Sequence, residues 1–254
     1  MDEDKPIFTP EDFIRYEASC RGMSNAEQFR IPSRLILLYQ TRAFEYVSQV
    51  LDEKIPWLYG PFRPVCIGTV GNKRIGAFRA GIGAPSTAAI LEELIACGAK
   101  NVIEVGVAGS LQPSLKPGDL VVVNGAFRDE GTSNHYFPQE VRLAASPRLK
   151  NLLIQYFNRK ELNYQVGPVW TTDGVYRETR SKFLRFRNRG ALAVNMETSA
   201  LFAVAKHRQV ELASIQVISD VLSEKRWTPA FHQKKVLDRL RAAVDVGIEA
   251  LEKM

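Results

Sequence analysis

Three short stretches of this chain have residue types and settings that could do chemistry. The first is a small-residue turn, Gly106-Val107-Ala108-Gly109-Ser110, at the end of the apolar run Val102 to Val107. A strand ending in residues with little or no side chain lets a ligand reach main-chain N–H donors, which is one way to hold a phosphate or a sugar. The second is Asp220, which ends the apolar run Leu212 to Ser219. An aspartate there costs desolvation energy, so it needs partners or work, and capping a turn beside Ser219 would also account for it. The third is Asn195-Met196-Glu197, where the run Ala191 to Val194 gives way to a helical pattern. Glu197 either meets a ligand or favours the positive end of the helix it opens. Arg42, at a strand end beside a helix N-terminus, is well placed for an oxyanion. No metal-ligand cluster, nucleophilic triad or dinucleotide motif stands out. Gly81-Ile82-Gly83 precedes a helix but lacks the third glycine and downstream acid of a nicotinamide site.

The elements that must position these residues follow from apolar periodicity. Strands are expected at Leu35–Tyr39, Val65–Val70, Arg74–Ala80, from Val102, from Leu120, and at Val166–Thr172, Ala191–Val194 and Leu212–Ser219. Helices are expected at Thr41–Leu51, Thr87–Cys97, Pro147–Phe157, Thr179–Arg187, Glu197–His207 and Lys234–Leu251. This alternation predicts one α/β domain over residues 31–254, with a mainly parallel, mixed central sheet flanked by helices on both faces. Residues 1–30 are polar and read as an irregular arm or cap. In such sheets ligands sit at the carboxyl ends of strands. Five segments fall there: Gln40-Thr41-Arg42, Gly81–Ser86, Gly106–Ser110, Asn195–Glu197 and Ser219-Asp220.

Composition narrows the function classes. A chain of 254 residues with 45% hydrophobic content is long enough for one sizeable core. The net charge of +6 is scattered among acids, and only Arg177–Arg189 concentrates it, reading as a solvated helix face rather than an anion or partner surface. No nucleic-acid or membrane partner is expected. No apolar stretch would span a bilayer and no basic-then-apolar leader opens the chain. Three widely spaced cysteines, Cys20, Cys66 and Cys97, read as reduced thiols and point to the cytoplasm.

Five segments, in order and spacing, resemble the superfamily of purine nucleoside and uridine phosphorylases, which includes methylthioadenosine nucleosidases. They are Gly81–Thr87, the block GVAGSLQPSLKPGDLVV from Gly106, Arg128–Ser133, Asn195–Glu197 and Val217–Asp220. The resemblance covers roughly Val65 to Leu222 and implies cleavage of a nucleoside's N-glycosidic bond. Phosphate attacks the anomeric carbon as the base leaves, giving ribose 1-phosphate, with no cofactor beyond phosphate as co-substrate. It also implies a homo-oligomer, a dimer or trimer of dimers, whose neighbouring subunits complete the pocket. Carried over residue by residue, Met196 packs on the sugar and Glu197 accepts from two ribose hydroxyls. Glu93 supports the ribose and phosphate site, unless it is a surface acid. Gly106 and Val107 fall in the phosphate-binding turn, with Arg42 close by. Asp220 gives a proton or hydrogen bond to the departing purine. Val175, Tyr176 and Arg177 lie in the base-reading loop, where Glu178 could also read a base edge. That loop lacks the glutamine of uridine phosphorylases, which leans the reading towards purines.

The chain departs from the family at the phosphate. Tyr39-Gln40-Thr41-Arg42 stands in place of a Gly-Asp-Pro-x-Arg loop, Glu104 in place of an arginine, and Val107 in place of a threonine. Arg63, Arg79 and Arg128 are the possible substitutes for that arginine. His135 falls near the site in relatives or is a hydrogen-bonded loop histidine, and Tyr136 and Phe137 would stack on a base or pack between subunits. Three functions stay open: a nucleoside phosphorylase with purine or uridine as base, a hydrolase using water, and a binding protein without catalysis.

Overall fold

Apolar residues alternate in strand and helix periods along most of the chain, and each period becomes an element. The computed structural model describes residues 6–23, 29–51, 53–57 and 60–254. The chain runs α1 (Pro10–Cys20), β1 (Arg34–Leu38), α2 (Thr41–Val50), β2 (Glu53–Trp57), β3 (Gly60–Val70), β4 (Lys73–Arg79) and α3 (Ala84–Ala96). It continues through β5 (Asn101–Ser110), β6 (Leu120–Asp129), β7 (Leu143–Ala144), α4 (Pro147–Arg159), β8 (Tyr164–Thr172) and α5 (Arg180–Asn188). It closes with β9 (Ala193–Asn195), α6 (Thr198–Arg208), β10 (Glu211–Leu222), β11 (Trp227–Pro229) and α7 (Lys234–Glu252).

The sheet has two parts. Strands β4, β1, β5 and β10 pair side by side in parallel. Beyond β10 the order is β6, β8, β9, and β9 returns to pair antiparallel with β5. Thus β5, β10, β6, β8 and β9 form a closed ring of strands, while β3 and β2 extend the open edge as antiparallel strands. Parallel pairing joins β4, β1, β5 and β10 and again β6, β8 and β9, while antiparallel pairing enters where β6 meets β10, where β9 meets β5 and at the edge strands.

Helices cover both faces, and β1 shows why its whole sequence is apolar. Leu35 and Leu37 join the core shared with α1, α3 and α6, while Ile36 and Leu38 join the core under α2, α4 and α7. The backbone of α7 comes close to the sheet at Gly247, where an added Cβ would lie 3.4 Å from methyls of Ile103 and Ile36. A third cluster gathers Trp170, Phe183 and Phe186, with the two rings of Trp170 and Phe186 stacked at 4.6 Å.

One expectation changes. The supposed irregular arm contains α1, because Thr9 and Asp12 form a reciprocal cap and Pro10 presets the first turn. Its Ile14 and Ala18 are buried against the first core. The basic run is α5, whose Arg180 and Arg187 reach Glu224 at 2.8 and 3.7 Å and whose Lys182 reaches Asp129 at 2.8 Å. Cys20, Cys66 and Cys97 are free thiols, Cys66 and Cys97 buried. Among the described residues, no helix is long and apolar enough to cross a membrane.

Candidate active site

Strand ends converge on one cavity of about 610 Å³. β1 brings Tyr39 and Gln40, the turn after β4 brings Ile82, and β5 brings Val107, Ala108 and Gly109. The end of β9 brings Asn195, Met196 and Glu197, and β10 brings Ser219 and Asp220. All five segments expected at strand ends contribute to the same wall. The loop between β8 and α5 adds Val175, Tyr176 and Glu178, and the segment after β10 adds Trp227 and Phe231.

Glu197 closes the inner end. Its Oε1 accepts the Gly83 N–H at 2.9 Å and its Oε2 accepts the Met196 N–H at 3.1 Å. Gly83 can present that N–H because its φ is +98°, a conformation that disfavours any side chain. Burial pushes the Glu197 carboxyl up to about 7, the nearby Glu104 adds to this, and the two backbone bonds oppose it. Among the described residues each oxygen accepts one bond and so keeps a further lone pair.

Asp220 lines the same cavity from the end of β10. Ser219 Oγ donates to its Oδ1 at 2.6 Å, and Trp227 Nε1 donates to its Oδ2 at 2.7 Å. Gly109 makes room for it: a Cβ there would fall 2.8 Å from Asp220 Oδ2 and 2.6 Å from Leu222. The register between β5 and β10 shifts between Ile218 and Asp220. A bulge of this kind re-aims a side chain at a strand end. Glu178 stands in the same cavity, half-buried; burial and the charge of Asp220 push its carboxyl up to about 7.

Other expected residues are elsewhere. Arg42 is exposed and shares a different depression with Tyr46, Gln49 and Arg241. As the second residue of α2, it lies on the helical stripe that faces α7 rather than the strand ends. Gly106 does not line the cavity; its missing Cβ leaves room for the Gln216 amide, whose Oε1 would be 2.7 Å away. Val107 does line it, with an aliphatic side chain. Glu93 is buried on α3 and absent from the cavity wall. It lies ten residues beyond Gly83, which is roughly 15 Å along a helix. Arg177 is exposed and outside the cavity, since Val175 and Glu178, three apart around a short 3₁₀ turn, take the inward side.

Two of the three arginine substitutes also fall away. Arg128 donates to Ser133 Oγ, Asn134 Oδ1 and the carbonyls of Phe137, Pro138 and Val141. Its guanidinium folds the loop after β6. Arg79 donates to Thr41 Oγ1 at 3.0 Å and does not line the cavity, and Arg63 lies outside the described side chains. His135 is exposed on that loop, while Tyr136 and Phe137 lie edge-on to His207 at 5.5 and 6.5 Å.

Glu104 is fully buried behind the wall. Tyr39 donates to its Oε1 at 2.9 Å and Thr198 to its Oε2 at 2.7 Å. Thr198 in turn accepts from Asn195, whose Oδ1 accepts from Thr171 at 2.9 Å. Burial raises the Glu104 carboxyl, and the hydroxyls and amide around it partly offset this. It replaces an arginine without confronting the cavity. Trp227 and Phe231 escaped sequence reasoning; only a tryptophan seven residues after Asp220 could have drawn notice. Among the described residues, no group of histidine, cysteine and acidic side chains could hold a metal.

The family model of the Phosphorylase superfamily matches residues 35–252, and the chain belongs to that family. The chain is 28% identical over 230 residues to a DeoD-type purine nucleoside phosphorylase of Exiguobacterium sp. strain AT1b, covering 88% of this chain and 96% of the relative. It is equally identical over 229 residues to one from Bacillus cereus, covering 88% and 97%. A crystal structure of uridine phosphorylase from Vibrio fischeri superposes with a TM-score of 0.79 at 27% identity, covering 89% and 95%. That of purine nucleoside phosphorylase from Toxoplasma gondii gives 0.80 at 21%, covering 89% and 92%, which speaks to the fold alone.

Proposed function

We propose that this chain cleaves the N-glycosidic bond of a nucleoside, with a purine as the preferred base and phosphate as the acceptor of the ribosyl group. The observation that carries the reading is the shared cavity of Met196, Glu197 and Asp220. Glu197 accepts ribose hydroxyls at one end, Asp220 meets the base at the other, and the anomeric carbon lies between. Charge separates along that line as the bond breaks: an ionised Glu197 favours the cationic sugar, and a proton or hydrogen bond given at the other end takes up the negative charge on the base. The purine preference rests on Asp220 and on the DeoD-type relatives. A cytoplasmic homo-oligomer fits the free thiols and the exposed Ile82, Tyr176 and Trp227 at the cavity mouth.

One observation favours a second reading, with water as acceptor. Of the cationic side chains in the cavity wall, Arg180 and Arg226, Arg180 is already paired with Glu224 at 2.8 Å. Gln40, in the wall beside Tyr39, has its amide oxygen buried without a partner among the described residues. A bare acceptor matches the hydroxyl of a sugar or a water better than a phosphate oxygen. One assay panel decides: inosine, adenosine, guanosine, uridine and methylthioadenosine, each with and without phosphate. Phosphate-dependent release of purine and ribose 1-phosphate is expected. Equal rates without phosphate select the hydrolase, and no turnover with any substrate refutes both readings.

A further inference from the structure

The base end of the cavity holds two carboxyl groups rather than one. Asp220 enters from β10 and Glu178 from the loop before α5. Their surroundings differ. Both Asp220 oxygens already accept hydrogen bonds, from Ser219 and Trp227. Glu178 has no hydrogen bond or ion pair among the described residues and is half-buried. A carboxyl without a donor, facing another carboxylate, is a poor place for a second negative charge.

Resting on the function proposed above, we propose that Glu178 is the proton donor to the leaving base and that Asp220 is the acceptor that aligns the base. The proton balance is simple. As the bond from the anomeric carbon to the base breaks, its electron pair moves onto the base. The Glu178 carboxyl proton passes to a ring nitrogen, and the base departs neutral. The sugar cation is taken by the incoming phosphate or water, and Glu178 recovers a proton from solvent before the next turnover.

Other charges face this group from every side. Asp220 opposes it from β10, Arg180 stands on α5, and Glu224 and Arg226 follow β10. Tyr176 lies on its own turn and Glu197 at the far end of the cavity. Arg180 is paired with Glu224 at 2.8 Å. Asp220 is thus the charge that bears on Glu178, and burial adds to its effect. Glu178 and Glu197 both titrate at about 7, but they work in opposite forms. Glu197 must be ionised to accept ribose hydroxyls, whereas Glu178 must be protonated to give up its proton. The pH profile of kcat/KM is therefore a narrow bell centred near neutrality.

The test compares inosine with 7-methylinosine, whose base leaves without taking up a proton. In the wild-type chain, inosine gives a falling limb above pH of about 7 and 7-methylinosine does not. Glu178→Gln lowers kcat/KM for inosine by roughly a hundredfold at neutral pH. It also removes the falling limb, while turnover of 7-methylinosine stays within about threefold. Glu178→Ala, which leaves space instead of an amide, behaves the same way. A falling limb that persists in either variant, or equal losses on both substrates, overturns the role of Glu178 alone. A wild-type chain inert towards every nucleoside overturns the glycosidic reading itself, and the two failures are told apart.

Discussion

Four carboxylates are deeply buried within reach of the ring of strands, yet they divide into two kinds. Glu104 and Glu130 are surrounded by internal donors. Tyr39 and Thr198 serve Glu104, while Ser199 Oγ at 2.8 Å and the Ser133 N–H at 2.9 Å serve Glu130. Glu197 and Asp220 are also buried and also take a donor on each oxygen, but they line the cavity. The difference teaches that burial does not mark a catalytic acid. What marks it is a place in the cavity wall, where the carboxylate faces open space. A carboxylate behind the wall organises it, and one in the wall can meet a ligand.

That division can be broken by mutation, and the largest effect is expected at Glu197. Glu197→Ala lowers kcat/KM for ribonucleosides by about a thousandfold with the fold intact, because the acceptor for ribose hydroxyls is gone. Base release followed at 0.1 and 1 times KM measures this, and full activity would sink the ribose assignment. Glu104→Ala does the reverse: it costs about 3 kcal/mol of stability, since the Tyr39 and Thr198 hydroxyls lose their acceptor and a void remains. Urea unfolding reads that loss. If stability holds while turnover collapses, Glu104 belongs with the cavity acids after all.

Stability against pH sharpens the contrast. The Glu197 carboxyl titrates at about 7 when folded against 4.5 as its ordinary value, so the folded chain binds the extra proton between those values. Stability contributed by this group is therefore highest below pH 4.5 and falls by about 3 kcal/mol as pH rises to about 7. Chemical denaturation at several pH values should show this slope, and Glu197→Gln should remove it. Trp227→Phe deletes one donor to Asp220 and should lower purine turnover by about 1 kcal/mol, a factor of about five, with little change in melting temperature. An unchanged rate would mean that Asp220 is aligned by Ser219 alone. Last, Arg42→Ala should leave both activity and stability within about 0.5 kcal/mol. A large rise in KM for phosphate would return Arg42 to the site.

Much of this was legible in the sequence where local pattern carries the information. The strand LILLY, the Gly81–Ser86 turn, Met196-Glu197 and Asp220 follow from apolar period and small-residue punctuation, and they meet as expected. The closure of the ring was not legible. It depends on β9 pairing with β5 and β6 with β10, contacts between segments about ninety residues apart that no short turn announces. Side-chain direction was the second loss. Arg42 and Arg177 sit beside true wall residues, but one position along a helix or 3₁₀ turn rotates a side chain out of the cavity. The motif Arg128–Ser133 failed differently: its arginine and acids are all spent on folding the loop and anchoring Trp170 and Ser199.

The strand ring has one more consequence. A hoop has no loose end, so no single strand can slide or peel without unlacing its neighbours on both sides. The carriers of Glu197 and Asp220 are therefore fixed at a constant span, like jaws on a rigid frame. Whatever adaptation a bulky guest demands must come from the rim, where Ile82, Tyr176 and Trp227 stand in solvent.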